Sequence, residues 1–348
     1  MDCLLNYDLD ELYKLAAETG QPRFRGEQLF RAAHEGRTWD EITNVPKSLK
    51  AELTARGFWV TGVEIADKLI SSDGTVKYLY RLADGNVIEG VLMKYKYGNT
   101  LCVSTQVGCR MNCAFCASGL DGLVRNLTSG EILGQVAAVN RDAGGTLAAR
   151  AVTNVVLMGS GEPLDNYQEV TAFLRRVNHP KGLNVSERNI SLSTSGLADK
   201  IYRLADDGFN VTLTVSLHAP DDKTRLSIMP VNKAFDIKTV LDAARYYFGK
   251  TGRRVIFEYA LIKGVNDSPE QAERLAALVK GFPCHINLIR LNYVRERGLK
   301  AADSVKAFAS VLESEGASVT VRRTMGGDIE GACGQLRRRY LSNESKSN

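Results

Sequence analysis

The sequence has no apolar run close to the roughly 18 residues that a membrane-spanning helix needs. Its first segment, MDCLLNYDLDELYKLAAETG, is acidic and amphipathic and lacks the basic stretch and apolar core of a secretory signal. A strong charge excess is also missing, because 45 Lys and Arg face 40 Asp and Glu, a formal net charge of +5. We therefore expect a cytoplasmic protein without a membrane partner. The small positive excess permits a nucleic-acid partner without requiring one.

A small fold stapled by disulfides is excluded as well. The chain has 348 residues and an odd number of cysteines, seven, with no secretory signal. Four of the seven lie within 15 positions. Clustered thiols in a cytoplasmic chain indicate metal or redox chemistry instead. The seven are Cys3, Cys102, Cys109, Cys113, Cys116, Cys284 and Cys333.

The length fits about two domains of roughly 150 residues, or one large α/β domain with a small appendage. The N-terminal residues have the apolar spacing of short helices, beginning with a stripe from Leu9 to Ala16. From about residue 75 the apolar period changes to two, and Asp84-Gly85-Asn86 predicts the turn of a β-hairpin. We divide the chain into a helical domain (1–60), a β-hairpin extension or linker (61–98), a core (99–325) and a C-terminal segment with a disordered tail (326–348).

The core is predicted to be an α/β fold with a parallel sheet, open or closed. Runs rich in β-branched residues alternate there with helical patterns. Such sheets carry their chemistry at the C-terminal ends of the strands, so the residues at those ends are candidates for a site. The predicted strands cover 101–107, 154–159, 189–195, 211–218, 254–262 and 285–292, with a further strand at 318–323.

Three cysteines follow the first core strand with the spacing C-x3-C-x2-C, namely Cys109, Cys113 and Cys116. Three thiolates this close can hold one inorganic centre. A structural zinc ion would need a fourth ligand, and no His or Cys follows at zinc-finger spacing. An iron–sulfur cubane held by three cysteines would keep one iron open for another ligand. Zinc, or three cysteines that bind nothing, stay as alternatives on spacing alone.

This spacing, with an aromatic residue before the last cysteine, resembles the signature of radical S-adenosylmethionine (SAM) enzymes. More specifically, the sequence resembles the radical SAM adenine-C2 RNA methyltransferase family, the RlmN/Cfr group. It contains motifs similar to those of the family, in the same order, from about residue 75 to 340. The resemblance implies a partial (β/α)6 barrel of the TIM type, one [4Fe-4S] cluster, and two SAM molecules per turnover. The motifs include TQVGCRMNCAFCASG, MGSGEPLDN, LSTSG, VSLHAP, MPVN, GVNDS, HINLI and GGDIEGACGQL.

The same resemblance implies the site. The three clustered cysteines would hold the [4Fe-4S] cluster, and Cys333 would carry a methyl group as S-methylcysteine. Cys102 would resolve the protein–RNA intermediate and end in a transient disulfide with Cys333, and Glu89 would accept the proton from C2 of adenine. The residues that match SAM contacts are Gly161, Glu162, Ser193, Ser216, Leu217, His218 and Asn292.

The implied partners are 23S rRNA, at an adenine of the peptidyl-transferase loop, and tRNA, at the adenine 3′ to the anticodon. An electron donor such as flavodoxin or ferredoxin is implied too, and a monomer is expected. Phosphate contacts are expected from basic residues in loops around the strand ends. These are Lys94, Lys96, Arg110, Arg125, Arg253, Arg254, Arg295, Arg297, Arg322, Arg323 and Arg337–Arg339.

Two alternatives stay open. Arg290 stands where the C2-methylating enzymes usually have proline, and the C8-methylating relative often has a basic residue there. Pro163 after Glu162 instead resembles the C2 enzymes. The other alternative is an RNA-binding protein with a purely structural iron–sulfur or zinc site, which would leave Cys102 and Cys333 without a role.

Overall fold

The computed structural model describes residues 2–292, 294, 296–323 and 325–329. The N-terminal part is helical, as the apolar spacing predicts. Helix α1 begins after a capping box in which Asp8 accepts from the Glu11 amide and the Glu11 carboxylate accepts from the Asp8 amide. The elements here are β1 (Asp2–Cys3), α1 (Leu9–Glu18), α2 (Phe24–His34), α3 (Lys47–Ala55) and β2 (Phe58–Trp59), with β1 parallel to β2.

An antiparallel meander follows, made of β3 (Glu64–Ile70), β4 (Val76–Arg81) and β5 (Val87–Tyr95). The β4–β5 turn is the predicted hairpin, and Gly85 adopts the positive φ of +83° that it needs. Strand β3 was not expected, because it is an exposed edge strand without a regular apolar alternation.

Seven parallel strands and their helices form the core. The predicted strand 101–107 is divided, since the chain leaves the main sheet after Cys102 and pairs again as β7. The seven parallel strands are β6 (Gly98–Cys102), β9 (Asn154–Leu157), β10 (Ile190–Thr194), β11 (Thr212–Ser216), β12 (Val255–Leu261), β13 (Cys284–Arg290) and β14 (Val319–Val321). A separate antiparallel pair is formed by β7 (Gln106–Gly108) and β8 (Leu123–Asn126). The helices are α4 (Ser129–Asp142), α5 (Tyr167–Val177), α6 (Ala198–Asp206), α7 (Asp222–Ile228), α8 (Ile237–Thr251), α9 (Pro269–Val279) and α10 (Val305–Ser314).

The main sheet has ten strands in the order β14-β13-β12-β11-β10-β9-β6-β5-β4-β3. Its parallel part, β6 and β9 to β14, contains six successive β/α units, which confirms the predicted α/β class. Among the described residues β3 and β14 remain unpaired on their outer sides, so the barrel is open.

The segment 322–329, which we call the strap, shows how strongly the sheet curves. It leaves β14 at one edge, and five residues later the Gly326 amide donates to Asp73 Oδ2 at 2.9 Å in the β3–β4 turn at the other edge. Eight strand spacings in a flat sheet would separate these points by about 38 Å. Five residues reach at most about 18 Å. The two edges are therefore curled toward each other, as a partial barrel requires.

Alternation along the strands gives the curved sheet two different faces. The outward face lies under the helices and is apolar, with Leu157, Leu213 and Phe257 at most 1% exposed. The inward face, which the strap crosses, carries Glu89, Cys102 and a run of serines and threonines. The strand register connects this face, because Cys102 pairs with Val91 on β5 and with Val156 on β9. Across the part of the chain that is described, no helix is long and apolar enough to cross a membrane.

The helical N-terminal part meets the core at a tight backbone contact. Gly62 has a φ of +70°, and a Cβ there would lie 2.4 Å from the Gly130 carbonyl oxygen of α4. We predict that Gly62→Ala lowers the free energy of unfolding by about 3 kcal/mol, since backbone strain adds to a clash that only backbone movement relieves. Gly57→Ala is the control. Its φ is +83° with nothing within 4 Å, so we expect a loss of about 1 kcal/mol.

Urea titration of both variants measures this difference. Equal losses for Gly62→Ala and Gly57→Ala would show that the contact with α4 does not restrict the chain.

Candidate active site

A loop that carries three cysteines is held at its base by a small separate sheet. Strands β7 and β8 pair antiparallel on either side of residues 109–122. The Cys109 amide donates to the Gly122 carbonyl at 2.9 Å, and the Cys116 amide donates to the Cys113 carbonyl at 3.1 Å. The loop is therefore a closed excursion with a folded backbone, which brings the three thiols together.

The three thiols are buried near one another, and their chemistry suits an iron–sulfur cluster, whose irons take one thiolate each. Burial raises the pKa of Cys109 to about 12 and that of Cys113 further, and each thiol is close enough to the others to raise them more. Within the described residues, however, no three His, Cys, Asp or Glu side chains converge on a single-ion site. A zinc ion draws all its ligands to about 2.3 Å. A cubane takes its thiolates on separate irons, which needs a wider triangle of sulfurs.

The cysteine loop packs over the ends of the central strands. The Ala114 amide donates to the Ile228 carbonyl at 2.8 Å, and the Phe115 ring meets the His218 ring edge-on at 4.7 Å. Asn112 adopts a φ of +49° and accepts from Arg297 Nη2 at 2.8 Å. The expected cluster ligands thus lie at the same end of the sheet as the expected SAM contacts.

Gly161 and Glu162 follow β9 at this end. Gly161 has a φ of +107°, and a Cβ there would lie 2.6 Å from Gln106 Cβ, so only glycine fits. The Glu162 carboxylate accepts from the Ser195 amide at 2.6 Å and the Leu164 amide at 3.1 Å. Burial nevertheless raises the pKa of this carboxyl. Glu162 is therefore a carboxylate held against backbone amides and partly deprived of solvent, which is suited to receiving a cationic amino group.

His218 stands directly after β11 with a φ of +57°. Burial lowers its pKa to about 3, with Arg225 as the second cause, so the ring is neutral at physiological pH. Its Nδ1 accepts from the Ala260 amide at 2.9 Å, which requires the proton on Nε2. The amides of Leu217 and His218 donate to the Glu258 carbonyl at 3.1 and 3.2 Å. The His218 ring therefore has a defined orientation and presents an Nε2–H.

Arg225, which the sequence did not reveal as important, ties these strand ends together. The side chain is fully buried, and burial lowers its pKa to about 10. It donates to carbonyl oxygens after β10 and at the end of β11 and to one amide side chain. The acceptors are Ser195 O (2.6 Å), Leu217 O (3.2 Å), Ser216 O (3.4 Å), Phe235 O (3.2 Å) and Asn232 Oδ1 (2.8 Å).

On the inward face the register aligns several of the expected site residues. Ser193, one residue before the end of β10, and Ser216, the last residue of β11, are half-buried on the face that also carries Cys102. Cys102 is buried among Val91, Met93 and the strap residue Met325. Glu89 lies on the same face of β5, two residues before Val91, which is the residue paired with Cys102.

Glu89 has a partner that the sequence did not indicate. Lys77 Nζ lies 3.2 Å from Glu89 Oε2, and both side chains are buried, at 0% and 4% exposure. A second buried carboxylate on this face, Glu258, meets Arg322 Nη1 of the strap at 3.4 Å. The sequence did contain an indication of this polar inward face. Charged residues occur inside the strand-like runs VKYLYR and VIFEYAL.

The remaining expected residues lie away from these contacts or outside the described residues. Asn292 is exposed, two residues beyond β13. Cys333 lies outside the described residues, as do Arg295 and Arg337–Arg339. Of the expected phosphate contacts, Arg125 pairs with Glu131 at 2.8 Å and Asp84 at 2.6 Å, and Arg110 pairs with Asp165 at 2.9 Å. These two arginines are engaged within the protein.

Two buried hydroxyls at the site have no hydrogen-bond partner among the described residues. They are Ser118 Oγ in the cysteine loop and Thr214 Oγ1 on the inward face. A buried hydroxyl left unpaired costs about 1–3 kcal/mol, so a polar ligand bound here would recover that loss. The observation fits a site built for a molecule such as SAM.

A curved parallel sheet with a three-cysteine loop after its first strand is the arrangement of radical SAM enzymes. The sequence profile described as the Radical SAM superfamily matches residues 103–276. This class carries a [4Fe-4S] cluster and uses SAM.

Relatives that match over the full length identify the family within this class of enzymes. The chain is 50% identical over 344 residues to the probable dual-specificity RNA methyltransferase RlmN of Alkaliphilus oremlandii, covering 98% of both chains. It is 46% identical to the protein of the same name from Clostridium novyi, covering 99% of this chain and all of that one. The crystal structure of a radical SAM methyltransferase from Sphaerobacter thermophilus superposes with a TM-score of 0.91 at 43% identity, covering 96% and 99%. The chain belongs to the RlmN family of radical SAM RNA methyltransferases.

The Arg225 contacts generate a stability prediction. Arg225→Met should lower the free energy of unfolding by at least about 3 kcal/mol, because several buried carbonyls lose a charged donor. Arg188→Met, at an exposed arginine, should stay within about 0.5 kcal/mol of the parent. Urea denaturation of the two variants measures both. A loss below 1 kcal/mol for Arg225→Met would mean that water or other groups satisfy the strand ends equally well.

Proposed function

We propose that this enzyme methylates C2 of adenine in RNA through a methyl group carried by Cys333. The observation that carries the proposal is that Glu89 and Cys102 share the inward face with Ser193 and Ser216. The strap, which precedes Cys333 in the sequence, also contacts this face. The proposed substrates are the 23S rRNA adenine in the peptidyl-transferase loop and the adenine 3′ to the anticodon of tRNA. Cys109, Cys113 and Cys116 are the proposed ligands of the cluster.

The chain length after the strap supports Cys333 as the methyl carrier. Ile329, the last described residue, belongs to a strap bound to the β3–β4 turn, and Cys333 follows it four positions later. Four residues span at most about 14 Å. Met325, in the same strap, already packs against Cys102. We therefore infer that the Cys333 thiol acts at the inward face.

The neighbouring loops supply the proposed SAM site. Glu162 would accept from the SAM amino group, and Ser193, Ser216, Leu217, His218 and Asn292 would contact the rest of the molecule, with Gly161 giving the close backbone approach. When bound, the cluster supplies the electron that cleaves SAM to a carbon-centred radical. Two SAM molecules are used per turnover, one as methyl donor and one as radical source. A flavodoxin- or ferredoxin-like donor would deliver the electron.

Glu89 and Cys102 have separate proposed roles. Adenine C2 is an electron-poor amidine carbon, so it bonds to a carbon radical and not to the electrophilic methyl of SAM. The radical would arise when the SAM-derived radical takes one hydrogen atom from the S-methyl group of Cys333. After the carbon–carbon bond has formed, the adduct would give its C2 proton to Glu89 and its one surplus electron back to the oxidised cluster, which restores the aromatic ring. The Cys102 thiolate then attacks the Cys333 sulfur, forming a disulfide. The sulfur–carbon bond breaks, and the carbon leaves with the electron pair and takes a proton to become the methyl group.

The proposal extends to how the enzyme is used. The helices of residues 1–60 would help to hold the RNA, and the target base has to be unstacked before it can enter the inward face. We propose a monomer that acts in the cytoplasm. Methylation at C8 is the second candidate, since Arg290 at the end of β13 resembles that relative. Mass spectrometry of the RNA product separates 2-methyladenosine from 8-methyladenosine and decides between the two.

The two cysteines should fail at different steps. Cys102→Ala should still add to RNA but should stall as a covalent protein–RNA adduct through Cys333, because no thiolate releases it. Cys333→Ala should form neither adduct nor product. A denaturing gel with and without RNase, followed by peptide mass spectrometry, measures this. The half-buried Cys284 provides the control, and Cys284→Ala should turn over normally. Free turnover by Cys102→Ala would refute the resolving role.

Loss of the base should slow one step only. Glu89→Gln should slow formation of 2-methyladenosine by about 10²- to 10⁴-fold, the usual contribution of a positioned general base. SAM binding and cleavage should continue. Because Lys77 would be left with an unpaired charge, the double variant Lys77→Met/Glu89→Gln keeps the test valid if the single variant is unstable. Glu64→Gln, at an exposed glutamate of β3, is the control. Product formation at the parent rate would exclude Glu89 as base.

A further inference from the structure

The strap is fastened to the β3–β4 turn by a set of hydrogen bonds that we call the clasp, formed by Ser71, Ser72, Asp73, Gly326 and Asp328. Asp73 Oδ1 accepts from the Thr75 amide of its own turn at 2.8 Å, while Oδ2 accepts from the Gly326 amide at 2.9 Å. Asp328, in the strap, accepts hydrogen bonds from the Ser71 hydroxyl and from the Ser72 amide, the latter at 3.0 Å. The turn and the strap thus each contribute one carboxylate that accepts hydrogen bonds from the other segment.

The clasp is a fitted contact. Gly326 is buried with a φ of +63°, and a Cβ there would lie 3.2 Å from both Thr75 Cγ2 and Ile329 Cγ1. Ser71 and Thr75 are 5% and 0% exposed. The hydrogen bonds lower the pKa of both carboxyls, Asp73 chiefly through the Gly326 amide and Asp328 chiefly through the Ser71 hydroxyl. Both carboxylates are therefore charged at physiological pH.

The position of the clasp matters more than its strength. Its last residue, Asp328, holds the chain five residues before Cys333. Without it, the nearest remaining holds are the packing of Met325 on Cys102, eight residues before Cys333, and the hydrogen bond from the Arg322 amide to Leu288 O at 2.8 Å, eleven residues before it. The effective concentration of a tethered group falls roughly as the −3/2 power of tether length, so release would lower it about twofold to threefold.

We propose that the clasp positions Cys333, keeping its thiol close enough to the inward face to be methylated and later to be attacked by Cys102. The inference rests on the proposed role of Cys333. Asp328 is the central positioning residue, because it binds the turn through both carboxylate oxygens and does not maintain the turn itself. Asp73 also shapes its own turn, so changing it would test two things at once.

The test uses the full-length enzyme with its cluster. Asp328→Ala should slow first-turnover methylation of Cys333, measured by peptide mass spectrometry, about twofold to threefold. Ser71→Ala, which removes one donor of the clasp, should slow it less. Asp67→Ala is the matched control, since Asp67 is an exposed aspartate of β3 whose side chain accepts from the adjacent Lys68 amide. This variant should methylate at the parent rate.

Two further measurements separate positioning from a general loss of structure. Hydrogen exchange should accelerate at the Ser72 amide in Asp328→Ala, which reports that the clasp is open, while exchange in the core strands is unchanged. The Michaelis constant for SAM should be unchanged, and iodoacetamide should label Cys333 at least as fast as in the parent. The thiol is then equally reactive but less often in place.

The outcomes distinguish the inference from the function on which it rests. If the parent enzyme never carries a methyl on Cys333, the proposed function fails. If the parent is methylated and Asp328→Ala opens the clasp but is methylated at the same rate, the function stands and the positioning role is refuted. A slower rate in Asp67→Ala as well would also refute it, because the effect would then not belong to the clasp.

Discussion

A ten-stranded sheet whose opposite edges are joined by a strap of a few residues is forced to curve, and the rest of the structure depends on that curvature. It assigns the two sets of alternating side chains to different environments. The outward set, which includes Leu157, Leu213 and Phe257, is buried under the helices. Each such side chain contributes about 1.5–3 kcal/mol on burial. The hydrophobic core thus forms on the outward side of the sheet, under the helices. The inward face does not contribute to this core and can carry polar groups.

Buried polar groups on that face are stable only when they are paired. Lys77 meets Glu89, Arg322 meets Glu258, and Arg225 is surrounded by carbonyl oxygens at the strand ends. An unpaired charge in these positions would cost several kcal/mol. The same pairing keeps each side chain in one place. Low local polarity also strengthens every electrostatic interaction with a bound substrate.

The site is divided between two levels of the sheet. The cysteine loop and the loops after β9, β10 and β11 lie at the strand ends, where Glu162 and His218 are held by backbone amides. Glu89 and Cys102 lie on the inward face itself, on β5 and β6. The strap passes over this second level, where Met325 packs on Cys102 and Arg322 meets Glu258. One curved sheet can thus hold a cofactor at its strand ends and a substrate on its inward face.

Local spacing in the sequence was enough to predict the N-terminal helices, the β4–β5 hairpin, the α/β class and the cysteine motif, because each depends on residues a few positions apart. It did not predict β3, an exposed edge strand, or the division of 101–107 into β6 and β7. The pairing of Lys77 with Glu89 depends on strand register, and the contacts of Arg225 depend on how two strand ends meet. The clasp joins residues 253 and 257 positions apart. Only the curvature of the complete sheet brings such residues together, and no local pattern records it.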